Sequence, residues 1–246
     1  MVFKSDLIKL TEEAGFVSTG VTTPDMLKGL PYGWVGTIAD LHTPEEELPT
    51  VKSVILLGYY AWDKSMNLQV DSAYFLQREK QKPEVPLENY QLYYEILKDK
   101  AWRIVDYLRR KGFESRYSLS IPLKTSAVKC GLGCQGKNTL LVTPIHGPRV
   151  RLISVLTEAE FDADEPYKDD LCKGCKRCVT ACPTKALEPY KINIPRCMTY
   201  AAEKPDASDV PKGVRELEQK LIQRPTPHSY LECSICIEAC PIGKHR

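Results

Sequence analysis

The stretch Leu171-Cys172-Lys173-Gly174-Cys175-Lys176-Arg177-Cys178-Val179-Thr180-Ala181-Cys182-Pro183 spells C-x2-C-x2-C-x3-C-P. This is the bacterial ferredoxin spacing for a [4Fe-4S] cluster. Three thiolates two residues apart let one tight loop cover three corners of a cube, while the cysteine before proline reaches a different cluster. A second site is therefore expected. Cys233, Cys236 and Cys240-Pro241 supply three of its parts, and Cys236-Ile-Glu-Ala-Cys240-Pro241 parallels Cys178-Val-Thr-Ala-Cys182-Pro183 closely enough to suggest an internal duplication. Cys197, between the halves, fills the remaining place. The count then closes as two [4Fe-4S] clusters, one on Cys172, Cys175, Cys178 and Cys240, the other on Cys182, Cys197, Cys233 and Cys236. Structural zinc competes for C-x2-C pairs, but zinc does not ask for a third cysteine followed by Cys-Pro.

Around this segment lies an ordinary globular chain of 246 residues, 43% hydrophobic and 27% charged, which excludes disordered and collagen-like classes. Lys+Arg 34 against Asp+Glu 32 leave a net charge of +2, too small for a broad electrostatic footprint toward nucleic acid or membrane. No apolar run approaches the roughly 18 residues of a membrane span. The opening Met-Val-Phe-Lys-Ser-Asp lacks the zones of a secretory signal and the twin arginine of an exported redox protein. The expected location is the cytoplasm, where metal thiolates outlast disulfides.

Upstream of the cysteines the pattern alternates between helix and strand. Ser5 is placed to cap a short helix carrying Leu7, Leu10 and Ala14 and ended by Gly15. Strands are expected at Phe16 to Val21, at the apolar run Ser53 to Tyr60 (buried on both faces), and at Arg149 to Leu156. The clearest helix runs from about Asn89 to Lys111, with Leu97, Ala101, Ile104, Val105 and Leu108 on one stripe. A shorter helical stretch covers Pro122 to Lys129. The expected fold is therefore α/β (α+β), with a boundary in the acidic linker Glu158 to Asp170. It divides a domain at 1–165 from a cluster module at 166–246.

Gly131-Leu132-Gly133-Cys134-Gln135-Gly136 is formally G-x-G-x-x-G. A dinucleotide loop must follow a strand and open a helix, whereas here a helical stretch precedes and the strand-like Thr139 to Thr143 follows, so that reading is set aside. The longer segment Gly131 to Leu141, GLGCQGKNTLL, resembles the GLGxxGKNTLL segment of the epoxyqueuosine reductases. The order of parts also agrees, with a strand, a linker, C-x2-C-x2-C-x3-C-P, a lone cysteine and a terminal C-x2-C-x3-C-P behind it. Upstream, Leu48 to Leu57 is similar to the family's strand after its substrate-side loop.

The resemblance implies a nitroreductase-like domain that holds base-off cobalamin against a two-cluster ferredoxin-like module, an arrangement shared with reductive dehalogenases. On that reading Gly131, Gly133 and Gly136 let backbone approach the corrin, and Lys137, Asn138 and Thr139 offer donors to it. The implied activity is reduction of an organic substrate, an epoxide or halide, by electrons passed from the clusters to the cobalt. The implied partners are a low-potential ferredoxin or flavodoxin and a small-molecule or tRNA-borne substrate. The alternative is an electron-transfer or corrinoid-reactivating protein with no organic substrate of its own. Two departures stand out. The Asp that serves the family's tRNA reductases as proton donor is missing, and counting back without gaps lands on Tyr117, which is either a replacement donor or an ordinary strand-end tyrosine. The helical repeat domain that grips tRNA in many members is also absent from the sequence. Cys130 and Cys134 are left over, as corrin-facing thiols or as small buried hydrophobes, and His42, His146, His228 and His245 show no ligand spacing.

Overall fold

The computed structural model describes residues 2–35, 39–61, 68–70, 90–225 and 229–244. The elements that position the site are, in chain order, α1 (Lys4–Glu13), β1 (Ser18–Thr22), β2 (Ser53–Tyr60), β3 (Leu68–Val70), β4 (Tyr90–Gln91), α2 (Leu92–Arg110), β5 (Ser115–Ser118), α3 (Leu123–Lys129), β6 (Cys134–Gln135), β7 (Leu141–Val142), β8 (Val150–Thr157), α4 (Arg177–Ala181), α5 (Met198–Glu203), α6 (Lys212–Leu221), β9 (Ser229–Leu231) and α7 (Ile235–Glu238). The central sheet has the order β1-β2-β8-β5, and every neighbouring pair in it is antiparallel. The architecture is mixed α/β of the α+β kind.

Strand alternation divides the core. On β2, Ile55 and Leu57 face one side with Ile153 and Val155 of β8, and there they meet Leu97, Ala101, Ile104, Val105 and Leu108 of α2, all fully buried. Val54 and Leu56 face the other side, against Ile121, Ala127, Cys130, Leu132 and Leu141 from α3 and the segment after it. The expected strand at 53–60 and its burial on both faces are both observed. The helix stripe is also as read. The start expected near Asn89 lies outside the described residues.

Two local expectations are corrected. Ser5 sits inside α1, which starts after Phe3 with no side-chain cap, because the chain enters the helix two residues earlier than the serine suggests. Thr139 and Leu140 belong to a turn, with Thr139 at φ +64°, so the strand-like run shrinks to β7. The acidic linker is tied to the first half of the chain. Val21 N–H donates to Asp164 Oδ2 at 2.8 Å, Tyr167 N–H donates to Val128 O at 2.9 Å, and Phe161 is buried. β9, from the cysteine-rich half, adds to β3 and β4 of the first half to make a three-stranded sheet.

Candidate functional site

The duplicated Cys-x3-Cys-Pro motifs run along two short helices, α4 and α7, that pack on each other. This crossing mixes ligands from both ends of the cysteine-rich half. Cys240 feels the charges of Cys172 and Cys175, and so does Cys178. Cys197 feels the charge of Cys182, Cys233 those of Cys197 and Cys182, and Cys236 those of Cys233, Cys197, Cys178 and Cys182. Burial drives the thiol of Cys233 up to about 11 and raises those of Cys197, Cys236, Cys178 and Cys240. As free thiols they hold their protons at neutral pH, so loading with metal releases protons.

Among the described residues no three His, Cys, Asp or Glu side chains are gathered tightly enough to hold a single metal ion. All four cysteines of the second set instead line one wall of a cavity of about 480 Å³. That spread suits a multi-iron cube better than one tetrahedral ion, whose sulfurs must all lie about 2.3 Å from the metal. Nearby backbone donors suit thiolates as well. Ala186 N–H donates to Cys182 Sγ at 3.3 Å, and Asp170 Oδ1 fixes the loop by accepting from Cys172 N–H at 2.8 Å.

The same cavity is bounded on another side by Asn138 and Thr139, and by Lys124 of α3 and Arg151 of β8. Asn138 Oδ1 accepts from Leu140 N–H at 3.3 Å, closing an Asx-type turn, which leaves its NH2 as the group it offers the cavity. Thr139 holds a left-handed conformation that costs a β-branched residue about 1–3 kcal/mol. Arg151 is fixed by Glu232 at 2.6 Å and by the Tyr93 ring, 4.2 Å from the guanidinium. Lys124 lines the open side of the cavity and keeps exposed surface there. Desolvation, reinforced by the charge of Arg151, lowers its pKa.

The remaining residues of the expected corrin site are used elsewhere. A Cβ on Gly131 would meet Glu165 O, one on Gly133 would run into the backbone of Val142, and one on Gly136 would meet Asn138 Oδ1 and Val142 Cγ2. These glycines serve protein packing, and none lines the cavity. Lys137 is buried and reaches the other way, donating to the carbonyls of Lys173 and Cys175 in the loop of the first set. Tyr117 pairs with Val155 and packs against the α2-side core, across the sheet from the Gly131 segment, so it is a corrected assignment: it does not line the cavity. Cys130 and Cys134 are both buried, and burial pushes the Cys130 thiol up to about 12. His42 stands 3.6 Å from Asp40 and from Glu47, and His146 packs on Tyr60, while His228 and His245 lie outside the described residues.

Residues 171–243 match the 4Fe-4S double cluster binding domain. The chain is 25% identical over 262 residues to the epoxyqueuosine reductase of Bacillus subtilis, an alignment that covers 98% of this chain and 64% of that protein. The likeness is to the epoxyqueuosine reductases. The solved epoxyqueuosine reductase of Streptococcus thermophilus superposes with a TM-score of 0.72 at 21% identity, covering 100% of this chain and 67% of that one. A reductive dehalogenase whose structure is described as suggesting a mechanism for B12-dependent dehalogenation superposes at a TM-score of 0.55 and 15% identity, over 87% of this chain and 33% of that one. The chain thus spans less than two thirds of the Bacillus relative's length.

The sequence reading does not single out Lys124, Arg151 and Glu232, which line the cavity, or Arg149, which bonds the Cys240 carbonyl. A signal existed for the two arginines. They flank Val150 at the head of a run that is apolar through Leu156 except for Ser154, and a charge in such a run must find a partner.

Proposed function

We propose that the chain is a cobalamin-dependent iron-sulfur reductase. One [4Fe-4S] cluster is held by Cys172, Cys175, Cys178 and Cys240, and the other by Cys182, Cys197, Cys233 and Cys236. The observation that carries this reading is the cavity walled on one side by the whole second set and on another by the Asn138-Thr139 turn. A redox cofactor held there would lie beside the ligands of the second cluster. When bound, a corrinoid supplies low-valent cobalt as electron donor to an organic substrate of epoxide or halide type.

The chain's own residues bind, orient and protonate. Asn138 and Thr139 present an amide and a hydroxyl to amide-bearing edges of the cofactor. The Arg151–Glu232 pair braces the wall between cavity and cluster. Lys124, made more acidic by desolvation and then by Arg151, is the cavity group to which we assign proton delivery in place of Tyr117. No described helix is long and apolar enough to cross a membrane, and the thiolate ligands suit a reducing cytoplasm, supplied by a ferredoxin or flavodoxin. We retain a division near residue 165 between the cofactor domain and the cluster module.

Anaerobic reconstitution with iron, sulfide and cob(II)alamin tests the reading. Expected are eight irons per chain and a base-off cobalt signal without axial nitrogen splitting in electron paramagnetic resonance. Turnover of an epoxyqueuosine-bearing tRNA stem-loop or of an organohalide then separates the substrate classes. Eight irons without corrinoid binding would leave an electron carrier.

A further inference from the structure

We propose that Arg149 is a positioning residue for the first cluster, seating Cys240 and raising that cluster's reduction potential. The inference rests on the double-cluster reading above and concerns a residue outside the cavity. Arg149 is 3% exposed. Its guanidinium donates through Nη1 to Ile242 O at 2.5 Å and through Nη2 to Cys240 O at 3.0 Å and Ile237 O at 3.2 Å. Three carbonyls on one arm are thus gathered by one planar fork, a geometry that lysine cannot reproduce.

The arm is seated as closely as backbone allows. Thr143 and Gly147 close a turn by exchanging N–H···O bonds of 3.0 Å each. A Cβ on Gly147 would meet the carbonyl of Ile242, and one on Gly243, at φ +75°, would meet that of His146. Cys240 therefore reaches the first set on an arm whose place is fixed by the turn ending at Arg149. From the other side Lys137, also buried, donates to Cys175 O at 3.0 Å. Two buried cations from residues 137–149 thus bond carbonyls of two ligand residues of one set.

The physical consequence is electrostatic. Reduction adds one electron to the cluster, taking [4Fe-4S]2+ to [4Fe-4S]+, with no bond made or broken and the electron supplied by the external low-potential donor. A fixed positive charge nearby favours the more negative state, and net charge and hydrogen bonding are the levers that set cluster potentials. The Arg149 guanidinium stands 3.0 Å from the carbonyl of Cys240, a ligand of that cluster. Its charge favours the added electron.

The test is a potentiometric titration of the reconstituted full chain, followed by electron paramagnetic resonance, with Cys197→Ser used to assign the two signals. In Arg149→Gln the reduced-to-oxidised ratio of the first cluster at its wild-type midpoint should fall at least tenfold, which is 59 mV for one electron, while the second cluster stays in place. Arg149→Lys should recover part of that shift. If Arg149→Gln cannot hold the first cluster, Lys137→Met, which keeps the guanidinium fork, must show the fall instead. An unmoved midpoint with eight irons bound, or an equal shift of both clusters, overturns the inference. Wild-type protein that takes up fewer than eight irons overturns the double-cluster reading itself.

Discussion

Gly133→Ala distinguishes a glycine that packs protein from one that touches a ligand. The added Cβ would lie 2.8 Å from Val142 C and 3.0 Å from Thr143 Cα, besides meeting Val142 O. All three atoms are backbone, so no rotamer change relieves the contact. Restoring an ordinary separation from Val142 O moves β7 away by about 1 Å, and β7 is joined to β6 through only two residue pairs, Cys134↔Val142 and Gln135↔Leu141. Overpacking of this kind costs about 1–3 kcal/mol, and the upper half of that range fits a clash with no flexible neighbour. With a urea dependence of about 2–3 kcal/mol per molar, the unfolding midpoint should fall by roughly 1 M. The assay is anaerobic urea unfolding of the cluster-loaded protein, followed by circular dichroism. Gly213→Ala is the control, since nothing lies within 4 Å of its added Cβ and it sits in α6, where alanine gains about 0.5–1 kcal/mol. A Gly133→Ala protein with an unchanged midpoint and lost corrinoid binding would refute the packing argument and return this glycine to the cofactor.

Replacing Cys197 by Ser should abolish the second cluster and leave about four irons on the first, measured by iron and sulfide analysis; loss of both signals or of neither would contradict the pairing. Lys124→Met should reduce turnover by about 10²- to 10⁴-fold, the usual contribution of a positioned proton donor, with iron content and corrinoid binding intact. Cys130→Ala bears on alkaline stability. A thiol raised from 9.0 to about 12 in the folded state contributes stability that is fully present below pH 9 and lost as pH rises through 12. The wild type should therefore lose up to about 1.4 kcal/mol per pH unit in that window more than the alanine variant, read from denaturation midpoints between pH 9 and 11.

The parts legible in the sequence were those governed by local periodicity or ligand count. The run Ser53–Tyr60 is a strand buried on both faces, and the α2 stripe is a helix face, because each pattern requires only its own neighbours. The packing of α4 on α7 brings the two Cys-x3-Cys-Pro motifs together, as the proposed grouping of Cys240 with Cys172 requires. What failed depended on direction. Lys137 and Asn138 are adjacent in sequence, yet one serves the loop of the first cysteine set and the other the cavity, because the turn sends successive side chains to opposite sides. Tyr117 falls on the α2 side of the sheet through strand alternation, which counting back from a motif cannot reveal. The glycines were read as making room for a ligand when the space they leave is filled by the chain itself.

On the proposed ligand sets, the exchange of cysteines between the two halves of the module also fixes when the clusters can be completed during synthesis. Cys172, Cys175 and Cys178 leave the ribosome 62 residues ahead of Cys240, counting from Cys178. At about 5–20 residues per second the nascent chain carries an open three-thiol loop for roughly 3 to 12 s. Cys182 waits in the same way for Cys233 and Cys236, so neither site can close as an early folding unit. Insertion of iron and sulfide is therefore a late event, coupled to the docking of β9 on β3 and of the Cys240 arm on the Arg149 turn. A chain that stalls or is clipped within this interval loses a ligand from both sites together, and partial assembly should appear as protein with no complete four-iron cluster.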